Sequence, residues 1–508
     1  MSFLGIDIGT SGVKAIVIDE KGGLLAQAIS PLSVSTPKPL YVTQSPSDWW
    51  NACVDAVRKA CVKDSIAKNV RAIGLSGQMV GTVLLDERDS LLMDSMIWQD
   101  QRSVKQVEAM KAKIGMETLI RHTMNVPLTG YTASKLLWLQ ENLPDIFTKT
   151  RTVLFPKDYI RFKLTGEKAL DVSDTAGTYL MDIQRRDFSE DIFRMLELDR
   201  NIFPERIYES HEVAGVLVRS AAEAMGLNEG IPCVAGAGDQ MANAVGTGAV
   251  REGIATVSIG TSGAVFCTTD KPHPDEDEMV IIAGCHAVKG KWDVLGCTLS
   301  AGGAYEWLKD HFAFRETAQA EKLETSPYDL MNAAAQSIPC GAEGLFFLPY
   351  LNGERSPYPD PNARGVFFGL SLRHGWPHMV RSVIEGILFS LRDILEAMRA
   401  KGIVIEQIRL SGGSAKSAFW RQLSADVFGS EIVTINHEEG PSVGAAVLAA
   451  VGSGYFSSAH EACDAWIRLS SPIYPRAEER KRYDELYAFY HGMYDRMKDM
   501  YGEHAKLL

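Results

Sequence analysis

Along the first thirty residues, β-branched and other apolar side chains alternate with turn-forming ones. The stretch FLGIDIGTSGVKAIVIDEKGGLLAQAIS reads as a strand through Asp7, a Gly/Thr/Ser turn, a second strand near Ala15 to Ile18, and a hairpin turn over Asp19 to Gly23. The chain therefore opens with a β-meander. From Ser45 the period lengthens, and SPSDWWNACVDAVRKACVK predicts an amphipathic helix with Ser47 as N-cap and Trp50, Val54, Val57 and Cys61 on one face. A strand pattern returns at Val70 to Leu75.

The opening pattern recurs half a chain later. GIATVSIGTSGAVFCTTD runs strand, a Gly260-Thr261-Ser262-Gly263 turn, strand, just as Gly9-Thr10-Ser11-Gly12 lies between the first two strands. Such a duplication predicts two similar α/β domains facing one another across a cleft, with a boundary near Val250 that gives units 1–250 and 251–508. VIEQIRLSGGSAKSAFWRQLSADVFG then reads as strand, Gly-rich turn and helix, and GPSVGAAVLAAVGSG as a turn feeding a small-residue helix. Both segments suit a close approach to a ligand. From Arg476 a charged helix carries Tyr483, Leu486, Tyr490, Met493 and Met497 on one stripe, which predicts packing onto the last domain.

Composition narrows the choices. A chain of 508 residues is long enough for two large domains or three ordinary ones, and 46% hydrophobic against 23% charged residues is the balance of a folded globular protein. Acidic residues outnumber basic ones by 64 to 52, and the formal charge of -12 argues against a nucleic acid or an anionic membrane as partner. A phosphate site is still open to it, since backbone N–H groups and a metal ion hold phosphate without net positive charge. Met1, Ser2, Phe3, Leu4 and Gly5 offer neither a basic region nor an apolar core of a signal peptide, so the expected location is the cytoplasm. The eight cysteines form no C-x-x-C pair and are expected as buried thiols.

Three motifs carry candidate chemistry. In Asp7-Ile8-Gly9-Thr10-Ser11-Gly12-Val13-Lys14 a strand-borne carboxylate precedes a turn rich in Gly and hydroxyls, which suits a metal-phosphate site or equally a plain β-hairpin. In Val234-Ala235-Gly236-Ala237-Gly238-Asp239-Gln240 an apolar strand ends in glycines and one carboxylate. Asp239 is a candidate general base there, with Gln240 as a polyol-binding amide; an N-cap or turn role is the alternative. Gly260 to Gly263, with Gly412-Gly413 and Gly444, would line a nucleotide, although neither a Walker sequence nor a clean dinucleotide fingerprint accompanies them.

Over nearly its whole length the chain resembles the FGGY carbohydrate kinases, and within them the xylulokinases. Gly130-Tyr131-Thr132-Ala133-Ser134-Lys135-Leu136-Leu137-Trp138-Leu139-Gln140-Glu141-Asn142 fits the first family signature. Gly365-Val366-Phe367-Phe368-Gly369-Leu370, followed by His378-Met379 and Ser382-Val383-Ile384-Glu385, fits the second. Further landmarks are Gly77-Gln78-Met79, Phe155-Pro156-Lys157-Asp158-Tyr159 and Gly353-Glu354-Arg355. The resemblance implies two ribonuclease-H-like α/β domains of the actin and hexokinase kind, with ATP and Mg2+ in the cleft between them. It makes Asp239 the base and Asp7 the residue that helps to place Mg2+. Thr10, Ser11, Lys14, Gly260, Thr261 and Ser262 would serve the phosphates, and Gly412, Gly413 and Ser414 the adenosine side. Gln78, Met79, Val80, Trp98 and Gln240 would form the sugar side. The implied reaction is phosphorylation of a ketose or polyol, D-xylulose to D-xylulose 5-phosphate being the family's default. The partners are then a sugar and ATP, with neither nucleic acid nor membrane, and a homodimer is left open.

Two positions depart from the xylulokinase pattern. Val80 stands where those enzymes usually have His after Gly-Gln-Met, and Gln240 stands where Asn usually follows the base. An ATPase of the same superfold is one competing reading, against which Asp239 with Gln240 and the two sugar-kinase signatures weigh; a catalytically weak sugar-sensing protein is another, against which the intact Asp7, Asp239 and Thr261 weigh.

Overall fold

The computed structural model describes residues 1–437 and 440–507. Two mixed sheets share one plan. In the first, the strands run in the order Val213–Val216, Pro232–Val234, Val70–Gly77, Ser2–Ile8, Gly12–Asp19, Leu24–Pro31, with Ala237–Gly238 also paired to Val70–Gly77. In the second the order is Ile282–Cys285, Trp292–Thr298, Gly263–Thr269, Gly253–Ile259, Ile405–Gly412, Glu431–Val433. Each has three neighbouring antiparallel strands, consecutive in the chain in the first sheet and interrupted by Ile282–Cys285 in the second, and each receives two later strands in parallel on the far side of its first strand. This is the duplicated ribonuclease-H-like α/β architecture implied by the resemblance, and the two small-residue turns occupy equivalent places in it.

The first long helix spans Pro46–Ala60 and begins two residues earlier than expected, with Ser45 rather than Ser47 at the N-cap. Pro46 accounts for the difference: its fixed φ and missing N–H fit the first helical position and nothing further inside. The buried face is accordingly Trp49, Ala52, Cys53, Ala56, Val57 and Ala60, while Trp50 and Val54 are only partly covered. The terminal helix Ala477–Ala505 packs as expected through Tyr483, Leu486, Tyr490 and Met493, with Tyr487 and Tyr501 added. Glu385 of the second signature anchors it, accepting from the Tyr483 hydroxyl at 2.6 Å and from Arg381 at 2.7 Å. No described helix is long and apolar enough to cross a membrane.

Late in the chain, helix Gly440–Gly452 lies not on its own sheet but against the first one. Its small residues meet glycines there. A Cβ on Gly74 would overlap the carbonyl oxygen of Ala445, and one on Gly5 that of Ser442. The same helix packs backbone to backbone on helix Asp239–Gly246, where Gly246 meets the Gly440 carbonyl and Gly444 that of Ala242. Phe3, Ile16, Ile18, Ala72, Met241, Val443 and Val447 close one apolar cluster around these contacts. A second seam joins the halves elsewhere: Asn125 exchanges two hydrogen bonds with the Ala283 backbone, at 2.8 and 2.7 Å, and Trp292 Nε1 donates to the Ile183 carbonyl at 2.8 Å.

The close approach is testable. Gly74→Ala drives a methyl group into backbone that cannot turn aside, and should lower the unfolding free energy by about 1–3 kcal/mol or more in chemical denaturation. Gly502→Ala, in an exposed helical turn with open space around it, should be neutral or stabilise by up to about 1 kcal/mol.

Candidate active site

Strand register brings the candidate residues to one edge of the first sheet. Asp7 pairs with Lys14 on one side and Ser76 on the other, and Ser76 and Gly77 pair with Ala237 and Gly238. Asp239 follows Gly238 directly, as the first residue of helix Asp239–Gly246. Residues more than two hundred positions apart thus meet where the parallel strands end, the usual place for a ligand in such sheets. Ser76 Oγ donates to Asp7 Oδ1 at 2.8 Å, and the Gly238 N–H donates to Ser173 Oγ at 3.0 Å, fixing the backbone just before Asp239.

Burial pushes the Asp239 carboxyl up to about 7, the negative charge of Asp7 adds to the rise, and hydrogen bonds from the Gln240 backbone and side chain oppose it. A carboxyl poised there is matched to accepting and releasing a proton near neutrality. The mutual repulsion of the two acidic groups also fits Asp7 as a support for a divalent cation, whose charge would relieve it.

The turn after Asp7 is held by Trp98, Gln78 and Gln44. Trp98 Nε1 donates to Thr10 Oγ1 at 3.0 Å, and that hydroxyl donates to Gln78 Oε1 at 3.2 Å. Gln78 Nε2 donates to Gln44 Oε1 at 2.7 Å, and Gln44 Nε2 returns to the Thr10 carbonyl at 2.7 Å. Gln78, expected to touch substrate, is therefore buried with both ends of its amide engaged, and it fixes Thr10 instead. Trp98 stays 40% exposed at the rim, and Ser11 is exposed at the tip of the turn.

Met79 and Gln240 are only partly buried, and the Met79 side chain lies over Gly238, where a Cβ would come within 2.8 Å of its Cγ. Val80 is only 3% exposed, its side chain faces Gly177, and its backbone adopts φ 54°, a conformation disfavoured for a β-branched residue. The Val80 N–H donates to Asp174 Oδ1 at 2.9 Å, and its carbonyl accepts from Lys135 Nζ at 3.0 Å. Lys135 also donates to the Met96 carbonyl at 2.9 Å; burial pulls its ammonium down to about 7, and the neutral amine still has the two N–H groups those carbonyls need.

Behind Val80 lies a fully buried ionic block. Lys157 Nζ reaches Asp171 at 2.6 Å, Asp158 at 3.0 Å and Asp174 at 3.5 Å, and Arg161 reaches Asp158 at 2.7 Å. These three carboxylates stand close enough to hold a metal, but the Lys157 ammonium already occupies the place of the cation. Sequence reading missed this block and the role of Lys135. Lys135, Lys157 and Asp158 lie inside the family motifs but Arg161, Asp171 and Asp174 lie outside them, and the contacts with Val80 span 55 and 94 positions.

On the second sheet, the Gly260 N–H closes its turn on the Ser262 carbonyl at 3.0 Å, leaving Gly260, Thr261 and Ser262 exposed. The turn rests on the start of helix Gly302–Phe312, whose Gly302 and Gly303 N–H groups donate to the carbonyls of Gly260 and Thr261. Ile259 pairs with both Gly263 and Gly412, so the Gly412-Gly413 turn is its immediate neighbour. Gly412 has φ 89° and both glycines are exposed, while the Ser414 hydroxyl finds no partner among the described residues. Gly444 does not join this group: it is buried in the helix contact with Ala242, where its lack of a side chain serves packing and not a nucleotide.

The chain matches the FGGY family of carbohydrate kinases, the N-terminal domain over residues 2–246 and the C-terminal domain over residues 255–453. It is 38% identical to the xylulose kinase of Escherichia coli (strain K12) over 452 residues, 89% of this chain and 90% of that protein. It is 35% identical to the xylulose kinase of Bacillus subtilis (strain 168) over 498 residues, 98% of this chain and 97% of that protein. A crystal structure described as a xyloylose kinase from Brucella ovis superposes with a TM-score of 0.89 at 33% identity, covering 98% of this chain and all of the other.

In the metal-free protein, the Asp239 carboxyl is expected to titrate near pH 7, as followed by carbon NMR of selectively labelled aspartate and assigned with Asp239→Asn. Asp7→Asn removes a neighbouring negative charge, makes ionisation easier, and should move that titration to lower pH. A titration near pH 4 in the unmodified protein would contradict this account of the site.

Proposed function

Because the chain belongs to the FGGY family of carbohydrate kinases, we propose that it transfers the γ-phosphoryl group of ATP to a hydroxyl of D-xylulose, giving D-xylulose 5-phosphate. The observation that carries the chemistry is Asp239: a carboxyl with its pKa drawn to about 7, at the head of a helix, on the strand edge that also bears Asp7 and the Thr10 turn. Kinship with curated xylulose kinases along nearly the whole chain supports the choice of sugar.

In this reading Asp239, as carboxylate, accepts the proton of the attacking hydroxyl, and Gln240 holds both that carboxylate and the sugar. Met79 and Trp98 border the sugar, with Val80 as buried wall. Thr10, Ser11, Lys14, Thr261 and Ser262 meet the phosphates from the two facing turns, and Gly412, Gly413 and Ser414 leave room on the adenosine side. Asp7 would hold the Mg2+ ion, which when bound neutralises charge on the donor phosphates. We divide the chain near Val250, so that residues 1–250 bear the sugar side and 251–508 the nucleotide side, with the cytoplasm as the setting. The buried apolar Val80 also favours a second reading, the same transfer to a related ketose or polyol, since a sugar hydroxyl left without a partner beside it would cost about 1–3 kcal/mol.

Asp239→Asn should keep ATP binding and folding while lowering kcat by about two to four orders of magnitude; near-normal turnover in the purified variant would remove Asp239 from its role. Phosphorylation should stop in excess chelator, and Asp7→Ala should abolish turnover or weaken its dependence on metal. Comparing kcat/KM across pentuloses, hexuloses, pentitols and glycerol separates the two sugar readings, with D-xylulose expected to lead.

A further inference from the structure

Val80 is the point where backbone strain and substrate wall coincide. A β-branched residue gains nothing locally from a left-handed conformation, so the surroundings must impose it. Two buried groups grip its peptide units from opposite sides: Asp174 takes the N–H and Lys135 the carbonyl. Both are fully buried, and they come from different helices, Val172–Ala176 and Thr132–Asn142.

The block that contains Asp174 also grips the strand leading to Asp239. Arg161 donates to the Ala235 carbonyl at 2.7 Å. Ser210 donates to Asp171 at 3.0 Å, and its carbonyl accepts the Gly236 N–H at 2.9 Å. Ser173, which donates to Asp171 at 2.6 Å, receives the Gly238 N–H. One buried ionic unit thus fixes the sugar wall at Met79-Val80 and the approach to the base. Charges buried this deeply stabilise little that well-packed apolar side chains would not. What they provide here is direction: fixed acceptors and donors aimed at particular peptide groups.

We propose that Asp174 and Lys135 are positioning residues for the phosphoryl-transfer reaction, holding Val80 in its left-handed conformation so that the Met79-Val80 wall stands at a set distance from Asp239. This rests on the sugar-kinase reading of the cleft for its functional consequence, but not for its geometry. Asp174→Ala leaves Lys157 paired with two carboxylates, and Lys135→Met keeps the length of the chain that fills the site, so both variants have a route to folding.

The test is a double-mutant cycle with Val80→Gly, because glycine adopts the left-handed conformation without steric cost. In the Val80 enzyme, Asp174→Ala and Lys135→Met should each raise KM for D-xylulose by about tenfold or more while KM for ATP stays within about twofold. In the Val80→Gly background the same changes should alter KM for D-xylulose by less than about threefold. Equal effects in both backgrounds, or KM values for sugar and ATP rising together, would overturn the proposal in favour of general destabilisation. Crystal structures of the two variants supply an arm that needs no turnover: Val80 should relax to negative φ in at least one, and a left-handed Val80 in both would overturn the proposal. Failure of the unmodified protein to phosphorylate any sugar would count against the kinase reading instead, and the crystallographic arm would still decide this one.

Discussion

The architecture depends on backbone meeting backbone between helix Gly440–Gly452 and the first sheet. That contact exists because Gly5 and Gly74 on the strands, and Gly246 and Gly444 on the helices, have no Cβ to hold the elements apart. It carries one late helix of the chain back onto the unit in which the chain began. Helix Asp239–Gly246 is trapped in the same contact, so the residue offered as base belongs to the packing that joins the two halves. Shape in this region is set by what the side chains lack.

Around that frame, electrostatics is arranged by depth. Asp239 stands near the sheet edge, where partial burial and the charge of Asp7 raise its pKa without a cationic partner to bring it down. Deeper in the same unit, Asp158, Asp171 and Asp174 share the two cations Lys157 and Arg161, and burial still pushes the Asp174 carboxyl up to about 8. The outer carboxyl is left free to exchange a proton, and the inner ones are committed to holding peptide groups. The same residue type is offered for chemistry in one layer and serves geometry in the next, where Asp171 and Asp174 accept peptide N–H groups.

Much of the fold was legible in the sequence because its signals are local. Each strand-turn-strand unit lies within twenty residues, so its repetition after half a chain exposes the duplication directly. Asp239 drew notice at the glycine-rich end of an apolar strand, where an N-cap or turn role suits it as well, and the family resemblance is what singled it out as the candidate base. The errors share a different physics. The start of the first helix was misplaced because Ser45 and Ser47 both suit a cap and Pro46 between them decides. Gly444 and Gln78 were assigned to ligands because a glycine or an amide near a motif looks the same whether it meets a ligand or another part of the chain. The grip on Val80 was hidden altogether, since φ is a property of the fold and the residues that impose it are distant in sequence.

That grip acts only on peptide groups. Asp174 and Lys135 hold the N–H and C=O of position 80 and make no demand on its side chain, which projects toward Gly177. The hold on the loop is thereby separated from the identity of the residue that adopts it, although any residue with a Cβ carries the steric cost of that backbone and glycine does not. A position built this way can exchange one side chain for another while the same two hydrogen bonds hold its loop. The side chain becomes an interchangeable fitting on a fixed mount.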